Sequence, residues 1–354
     1  MTAGGPMPAV SRALEMLARR QNLDRDTASE VLELIMGGQV GDTQTAAFLM
    51  GLRVKGETAE EIVGLAATMR RLAEPVEVGG DGPLVDVVGT GGDRLGTFNI
   101  STTAAFVVAG AGARVAKHGN RGATSRSGSA DLLEALGVRI DLPPAAVARC
   151  IEEVGIGFMF APLHHKAMRH VVPVRRDLGV RTVFNFLGPL TNPAGACRQL
   201  TGVSAPEYVE VLARALALMG CEHAFLVHGQ EGMDELSVVG PTTVVEVAGG
   251  RAGTPYVVEP ETFGLRRWPL SKLTGGDARQ NAAIALNVLK GEAGAPLEVV
   301  LLNAGAALHV AGKAESVQEG VERARESIES GRAREKVNDL VRSSWSSSGT
   351  IRES

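Results

Sequence analysis

Up to about Pro75, apolar residues recur three and four positions apart with charged residues between them, which is the spacing of helices with one buried face. SRALEMLARR predicts a first helix. TASEVLELIMGG predicts a second, opened by Thr27 and Glu30 in capping-box spacing and closed at Gly37 and Gly38. DTQTAAFLMGLRVKG predicts a third, capped at Asp42 or Thr43 and ended near Gly56. TAEEIVGLAATMRRLAEP repeats the box with Thr58 and Glu61, and Pro75 stops it. Connections this short suit a compact bundle of about four helices.

The pattern then changes. PLVDVV is an unbroken apolar run of the kind buried in a parallel sheet. ARVAKH, HAFLVHG, TTVVEV and LEVVLLN read as further strands. TTAAFVVAGAG, SADLLEALG, PEYVEVLARALALMG and ARQNAAIALNVLKG read as helices between them. The alternation predicts an α/β domain with a mainly parallel central sheet flanked by helices, after a small N-terminal helical domain. The expected division is 1–75 helical, 76–345 α/β, and 346–354 a polar, frayed tail. No internal repeat is evident.

Two glycine-rich turns carry candidate chemistry. In DVVGTGGDRLGTFNIST, Gly89, Gly91 and Gly92 follow a strand, and Ser101 and Thr102 open the next helix. Ordering so many glycines costs backbone entropy. Bare N–H groups at a helix N-terminus suit a phosphate, although a plain turn capped by Ser and Thr fits the residues equally well. No G-K-[ST] follows, and Arg94 stands where a dinucleotide fingerprint needs its last glycine. In KHGNRGATSRSGSADLLEALG a strand delivers Lys117 to the tip of a second turn. Gly119, Arg121, Gly122, Thr124 and Ser125 then lead to a helix capped near Ser127 or Ser129. Cations beside hydroxyls and bare N–H groups make an anion cradle, and a solvated capped loop is the alternative. Two such turns on neighbouring strands point to the carboxyl edge of the sheet.

Asp234 and Glu235 in HGQEGMDELSVVG are adjacent carboxylates after a strand, a pattern that can hold Mg²⁺. Glu60-Glu61 and Glu152-Glu153 are also adjacent, but read as solvated helix faces. His164, His165 and His170 lack a matching metal-ligand pattern. Arg175 can grip a carboxylate in a fork contact, while Arg176 reads as a surface residue. NFLGPLTNPAG, with two prolines and two glycines, predicts an irregular turn. No G-x-S-x-G elbow and no Cys–His pairing suggest a covalent nucleophile. Positioning and charge stabilisation are the expected chemistry.

Composition narrows the classes. The 354 residues are 44% apolar and 21% charged, ordinary for a globular protein, and the net charge of −4 gives no basic field for nucleic acid or an anionic membrane. Cys150, Cys197 and Cys221 are isolated, which fits a reducing cytoplasm. The first residues show no apolar leader, and no run is long enough to span a bilayer.

GTGGD, TFNIST, KHGNR, SGSADLLEALG, VRRDLGVRTVFNFLGPLTNPAG and DELS occur in that order, and the chain up to about Val310 resembles the anthranilate phosphoribosyltransferase family, of the nucleoside phosphorylase-like phosphoribosyltransferases. The resemblance implies a helical domain that also recruits about 162–184, and a homodimer formed through it. It implies transfer of the phosphoribosyl group of 5-phosphoribosyl 1-diphosphate to the amine of anthranilate, releasing diphosphate, in tryptophan biosynthesis. The diphosphate substrate would lie on Gly89, Gly92, Asp93, Thr97, Asn99, Ile100, Ser101, Thr102, Lys117, His118, Gly119, Asn120, Arg121, Gly122, Ala123, Thr124, Ser125 and Ser129. Magnesium, as two ions, would use Ser101, Asp234 and Glu235. Anthranilate would contact Gly89, His118, Asn120, His165, Arg175 and Pro189, with Arg175 on its carboxylate. Lys117, Asp234 and Glu235 would be the catalytic residues. Arg94, Thr124 and Lys166 depart from the family's usual Gly, Ser and Pro. A phosphorolytic relative is one rival reading, and a relative that binds nucleic acid is another; the carboxylate-type Arg175 segment opposes the first, and the acid pair and charge the second.

Overall fold

In the computed structural model, which describes residues 8–122 and 125–346, the amphipathic start of the chain folds into α1 (Ala9–Ala18), α2 (Arg25–Met36), α3 (Asp42–Lys55) and α4 (Ala59–Leu72). The capping box at α4 forms: Glu61 N–H reaches Thr58 Oγ1 at 3.3 Å, and Thr58 N–H reaches Glu61 Oε2 at 2.8 Å. Glu61 also accepts the Leu23 N–H at 2.8 Å and pairs with Lys55 at 2.9 Å, so one buried carboxylate ties the α1–α2 connection to the end of α3 and the start of α4. The box expected at Thr27 and Glu30 does not form. Asp24, three residues earlier, accepts the Thr27 N–H at 2.7 Å and starts α2 ahead of it.

Beyond the bundle, β1 (Leu84–Gly89), β2 (Arg114–Gly119), β3 (Ile156–Phe160), β4 (Arg198–Gly202) and β5 (His223–Gly229) are parallel, in the order β3-β2-β1-β4-β5. β6 (Thr242–Ala248) adds antiparallel to β5, and β7 (Arg251–Ala252) and β8 (Tyr256–Val258) pair with β6. The mainly parallel sheet is therefore present. LEVVLLN, expected as a strand, lies inside the helix Ala295–Val310. Pro296 opens that helix and its apolar run is buried all round, so no polar stripe betrays the 3.6-residue period. Gly305 and Gly320 let it press against the helix Val317–Glu329: a Cβ on Gly320 would meet the Gly305 carbonyl at 2.1 Å.

Side chains alternate across the sheet into two cores. Phe225 and Val227 face a cluster with α5 (Ile100–Gly110) and the helix Ala295–Val310. Ala224 and Leu226 face the other, which runs on through the helix Val209–Leu218 into α1–α4 and takes in Val171, Val174, Val183 and Phe184. The chain's end is helical further than its composition suggests. Arg332–Ser346 is one helix, with Trp345 Nε1 on the Gly137 carbonyl at 3.0 Å; the rest of the expected tail lies outside the described residues. Among the described residues, no helix is long and apolar enough to cross a membrane.

Candidate active site

β1 and β4 are neighbours, but the chain leaves them in opposite directions across the sheet, to β2 and to β5. A crevice opens outside the carboxyl ends of strands at such a point. The first turn rises from it. Thr90 N–H bonds the Gly202 carbonyl at 2.9 Å, and Ser204 N–H bonds Thr90 Oγ1 at 3.0 Å, so the ends of β1 and β4 are stitched together. Gly91, Gly92 and Gly96 have φ of +70°, +78° and +68°. Arg94 shares this left-handed region at +61°, which costs a residue with a Cβ about 1–2 kcal/mol. Asp93 Oδ1 accepts the Leu95 N–H at 3.1 Å within the turn. The far side of the turn is pinned by a strand-like bridge from Thr97 to Thr274 and by Phe98 N–H on the Leu273 carbonyl at 3.1 Å. Asn99 then joins both turns: its Oδ1 accepts from Asn281 Nδ2 at 2.8 Å, and its Nδ2 donates to the Ser127 carbonyl at 3.1 Å. Ile100, Ser101 and Thr102 form the first turn of α5, with Ile100 and Thr102 buried.

The acid pair sits on this lip. Asp234 Oδ2 accepts the Gly91 N–H at 2.7 Å, and Glu235 Oε1 accepts the Ser101 N–H at 3.0 Å. A Cβ on Gly202 would meet the Asp234 carbonyl at 1.6 Å, and one on Gly89 would meet its Oδ2 at 2.4 Å, so only glycine admits the loop. Burial pushes the Asp234 carboxyl well above the usual carboxylate range, and the charges of Asp93 and Glu235 push it further. Burial also lifts Glu235 to about 7, against the pull of Lys117. Neither carboxylate is in an ion pair among the described residues, and each keeps an oxygen without a hydrogen bond from the backbone groups just named. Two adjacent carboxyls whose ionisation burial opposes fit a divalent cation of the Mg²⁺ kind, whose charge would favour their ionised forms.

Lys117 is not at the tip of the second turn. β2 continues to Gly119, so Lys117 points into the sheet, where its ammonium donates to the Val87 carbonyl at 2.6 Å. Burial lowers its pKa, and the carboxylates of Asp86 and Glu235 oppose that. Asp86 is itself raised by burial to about 6, and accepts from Asn192 Nδ2 at 2.7 Å.

The second turn is braced by its own helix, α6 (Ser129–Ala135). Asp131 Oδ2 accepts the N–H groups of Gly122 at 2.9 Å and Gly128 at 2.8 Å. The cap is therefore Gly128 with Asp131, rather than Ser127 or Ser129. Arg121 turns onto Asp131 and Glu134 and lies 5.5 Å from the Phe160 ring centroid, so its charge is drawn to α6 rather than into the turn. Asn120 Oδ1 accepts the Arg121 N–H at 2.8 Å, and a Cβ on Gly119 would meet Ser129 Oγ at 2.1 Å. Ser125 Oγ donates to the Ser127 carbonyl at 3.1 Å. Ala123 and Thr124 lie outside the described residues.

Beyond Lys117, His118 faces His165. Its ring lies 5.1 Å from that of His165, and His118 Nε2 and both ring nitrogens of His165 are buried without hydrogen-bond partners among the described residues. Burial holds both imidazoles neutral at ordinary pH, pulling His118 down to about 3 and His165 to about 4. Arg175, on the helix Val172–Leu178, is half-buried over Phe184 at 5.5 Å and has no carboxylate partner among the described residues. Arg176 is exposed beside Asp177. Pro189 is buried near the end of a helix, Phe184–Leu190, where an irregular turn was expected. Pro189 lacks the N–H that would donate to the Asn185 carbonyl, so the helix ends one residue later, and Thr191 Oγ1 closes the end on the Leu187 carbonyl at 3.0 Å. Lys166 pairs with Glu74 at the surface.

Three residues here were not singled out from the sequence. Arg181 donates to Ser204 Oγ at 3.1 Å and would lie 2.7 Å from a Cβ on Gly92, so it lines the crevice. Asn192 and Asn281 are buried, bonding Asp86 and Asn99. Their signal was position: Asn192 just before Pro193 in the PLTNP stretch, and Asn281 on a helix whose cap starts at Asp277.

A helical bundle beside such a sheet, with phosphate-type turns and an acid pair at the crevice, defines a two-part glycosyl transferase. Residues 11–73 match the glycosyl transferase family, helical bundle domain, and residues 81–334 match the glycosyl transferase family, a/b domain. The chain is 55% identical over 331 residues to the anthranilate phosphoribosyltransferase of Rubrobacter xylanophilus, spanning 93% of this chain and 96% of that one. It superposes on the crystal structure of anthranilate phosphoribosyltransferase from Thermus thermophilus with a TM-score of 0.90 at 47% identity, covering 96% and 100% of the two chains. The enzyme from Saccharomyces cerevisiae, solved in complex with PRPP and Mg, gives 0.87 at 30% identity, covering 95% and 98%. The chain belongs to the anthranilate phosphoribosyltransferase family of enzymes.

Proposed function

We propose that this chain joins the amine of anthranilate to C1 of 5-phosphoribosyl 1-diphosphate in tryptophan biosynthesis, with Mg²⁺ and without a covalent intermediate. The observation that carries the reading is the meeting of both glycine-rich turns with Asp234 and Glu235 at the β1–β4 crevice.

In this reading the N–H groups of the first turn, the hydroxyls of Thr97, Ser101 and Thr102, and the second turn hold the diphosphate and ribose phosphate. Asp234, Glu235 and Ser101 would hold Mg²⁺, as two ions, which would supply positive charge against the negative charge developing on the departing diphosphate. Burial opposes ionisation of Glu235, and Lys117, buried beside it, favours the ionised form. Arg175 takes the anthranilate carboxylate, and Pro189 and the neutral His118 and His165 line its ring. The amine nitrogen bonds C1 as the C1–O bond to diphosphate breaks; the electron pair leaves with diphosphate and the amine proton passes to solvent. An aromatic amine is uncharged at neutral pH, so the step needs no strong base. The neutrality of both histidines agrees with this.

Residues 1–75 with about 162–184 form the helical domain and 76–345 the α/β domain in this reading, supported by the core that Val171, Val174 and Phe184 share with α1–α4. A homodimer through the helical domain is supported by exposed apolar Val54, Val172 and Val180 on that side. Three free cysteines accord with the cytoplasm. The test is the loss of anthranilate fluorescence on mixing protein, both substrates and Mg²⁺. The reading predicts turnover that needs both substrates and stops with EDTA; folded protein that leaves the fluorescence unchanged defeats it.

A further inference from the structure

The opposite end of the sheet carries a second set of metal-type donors. β5 begins at His223, six residues and roughly 20 Å of strand before its substrate-side end at Gly229. Glu246 on β6 is registered against Phe225, so His223 and Glu246 are diagonal neighbours, and His223 Nε2 lies 2.8 Å from Glu246 Oε1. The last turn of the helix Ala295–Val310 brings His309 onto them. Its ring meets that of His223 edge-on at 5.2 Å, and Phe225 packs against both imidazoles at 5.7 Å. One donor atom from each of His223, Glu246 and His309 lies within 4.8 Å of the others.

The protonation pattern favours ligation. His309 Nδ1 is 3.1 Å from the Ala314 carbonyl, and a carbonyl can only accept. The proton is therefore on Nδ1, and Nε2 keeps a lone pair. A backbone carbonyl that fixes the tautomer in this way is the usual companion of a metal-bound histidine. All three side chains are partly buried, His223 at 19% and Glu246 at 38% exposed, which leaves access for an ion and a water molecule.

We propose that His223, Glu246 and His309 form a zinc-class site that clamps the end of the helix Ala295–Val310 to the β5–β6 hairpin, separate from the acid pair at the crevice. Two imidazoles, one carboxylate and an open position form a recognised zinc donor set, whereas magnesium prefers oxygen alone. Ligands on a tetrahedral zinc stand roughly 3.3 Å apart, so the exposed Glu246 carboxylate moves slightly away from His223. The ion takes the place of the proton that His223 and Glu246 share, and that proton is released to solvent.

Titration with Co²⁺ in excess Mg²⁺, which keeps the acid pair occupied, tests this on the whole chain. The expected result is one Co²⁺ per chain with the visible absorption of a tetrahedral site, displaced by Zn²⁺. Zn²⁺ should raise the melting temperature of the wild type. His309→Gln should weaken Co²⁺ binding at least about tenfold and abolish the Zn²⁺ shift, while turnover with Mg²⁺ is unchanged. Glu246→Gln, at a more exposed position, repeats the test if His309→Gln folds poorly. No saturable binding, or equal binding by wild type and both variants, overturns the proposal. So does a near-ultraviolet sulfur-to-cobalt band, which would place the metal on Cys197 or Cys221.

Discussion

The two sides of the crevice are built on opposite principles. On the side of the turns, polar groups are committed to one another: Asp131 holds two N–H groups, Asp234 a third and Glu235 a fourth, and Asn99 ties the turns together. What is left over there is a pair of carboxyls whose ionisation burial opposes. Around His118, three imidazole nitrogens, its own Nε2 and both of His165, are buried without hydrogen-bond partners among the described residues. What is left over there is hydrogen-bonding capacity. The first side is committed and the second unsatisfied; in the proposed reading the first takes the cation and the second the aromatic acid. Leaving buried polar groups unmet costs about 1–3 kcal/mol each, a cost that a bound ligand recovers.

Removing charge from the first side should have the largest effect. Asp234→Asn is expected to lower kcat/KM at least about a hundredfold, while raising the melting temperature in metal-free buffer, because it removes the cost of burying that carboxylate and then the repulsion by Asp93 and Glu235. A variant less stable than wild type would mean that the carboxylate is a brace and not a surplus. Arg175→Ala should raise KM for anthranilate about tenfold to a hundredfold with KM for the diphosphate substrate unchanged, as for one lost charge-assisted contact. Equal change in both would merge the two sides. Asp131→Ala frees two N–H groups and should lower stability by about 1–3 kcal/mol in chemical denaturation, together with a higher KM for the diphosphate substrate.

The histidines give a pH signature. Their folded pKa values, about 3 and about 4, lie below the usual 6.5, so the unfolded chain takes up protons first as pH falls. Their contribution to stability is fully present above 6.5 and is lost as pH drops towards 4 and then 3. Melting temperatures of His165→Asn across that range should fall less steeply than those of wild type. The smallest effect is expected at Arg94. Its left-handed backbone predicts that Arg94→Gly changes stability by no more than about 1 kcal/mol, in the stabilising direction, with kcat nearly unchanged.

Local chemistry made much of this legible in the sequence. The Thr58–Glu61 box, the strand-to-helix glycine turns and the acid pair all depend on residues close together in the chain. Features set by distant contacts were not legible. β4 reads RQLTG, too polar for a central strand, yet Gln199 is buried with its amide on the Pro189 carbonyl at 3.1 Å. The crevice depends on that strand, so its position was hidden. LEVVLLN has β-branched residues and no polar stripe, and only the flanking helices decide that it is helical. Arg121 reads as an anion ligand until Asp131 and Glu134 are seen beside it, and Lys117 reads as a loop residue until β2 is seen to extend past it.

The glycines that end β1 and β4 have a mechanical consequence. Asp234 rests directly on two main chains, with no side chain between to absorb displacement. Such a seat passes movement on undamped. A core substitution that tilts β4 slightly will carry the carboxylates with it, and catalysis falls steeply when reacting groups are misplaced. Turnover rate is therefore the more sensitive strain gauge of this sheet, registering damage to its packing before the melting temperature does.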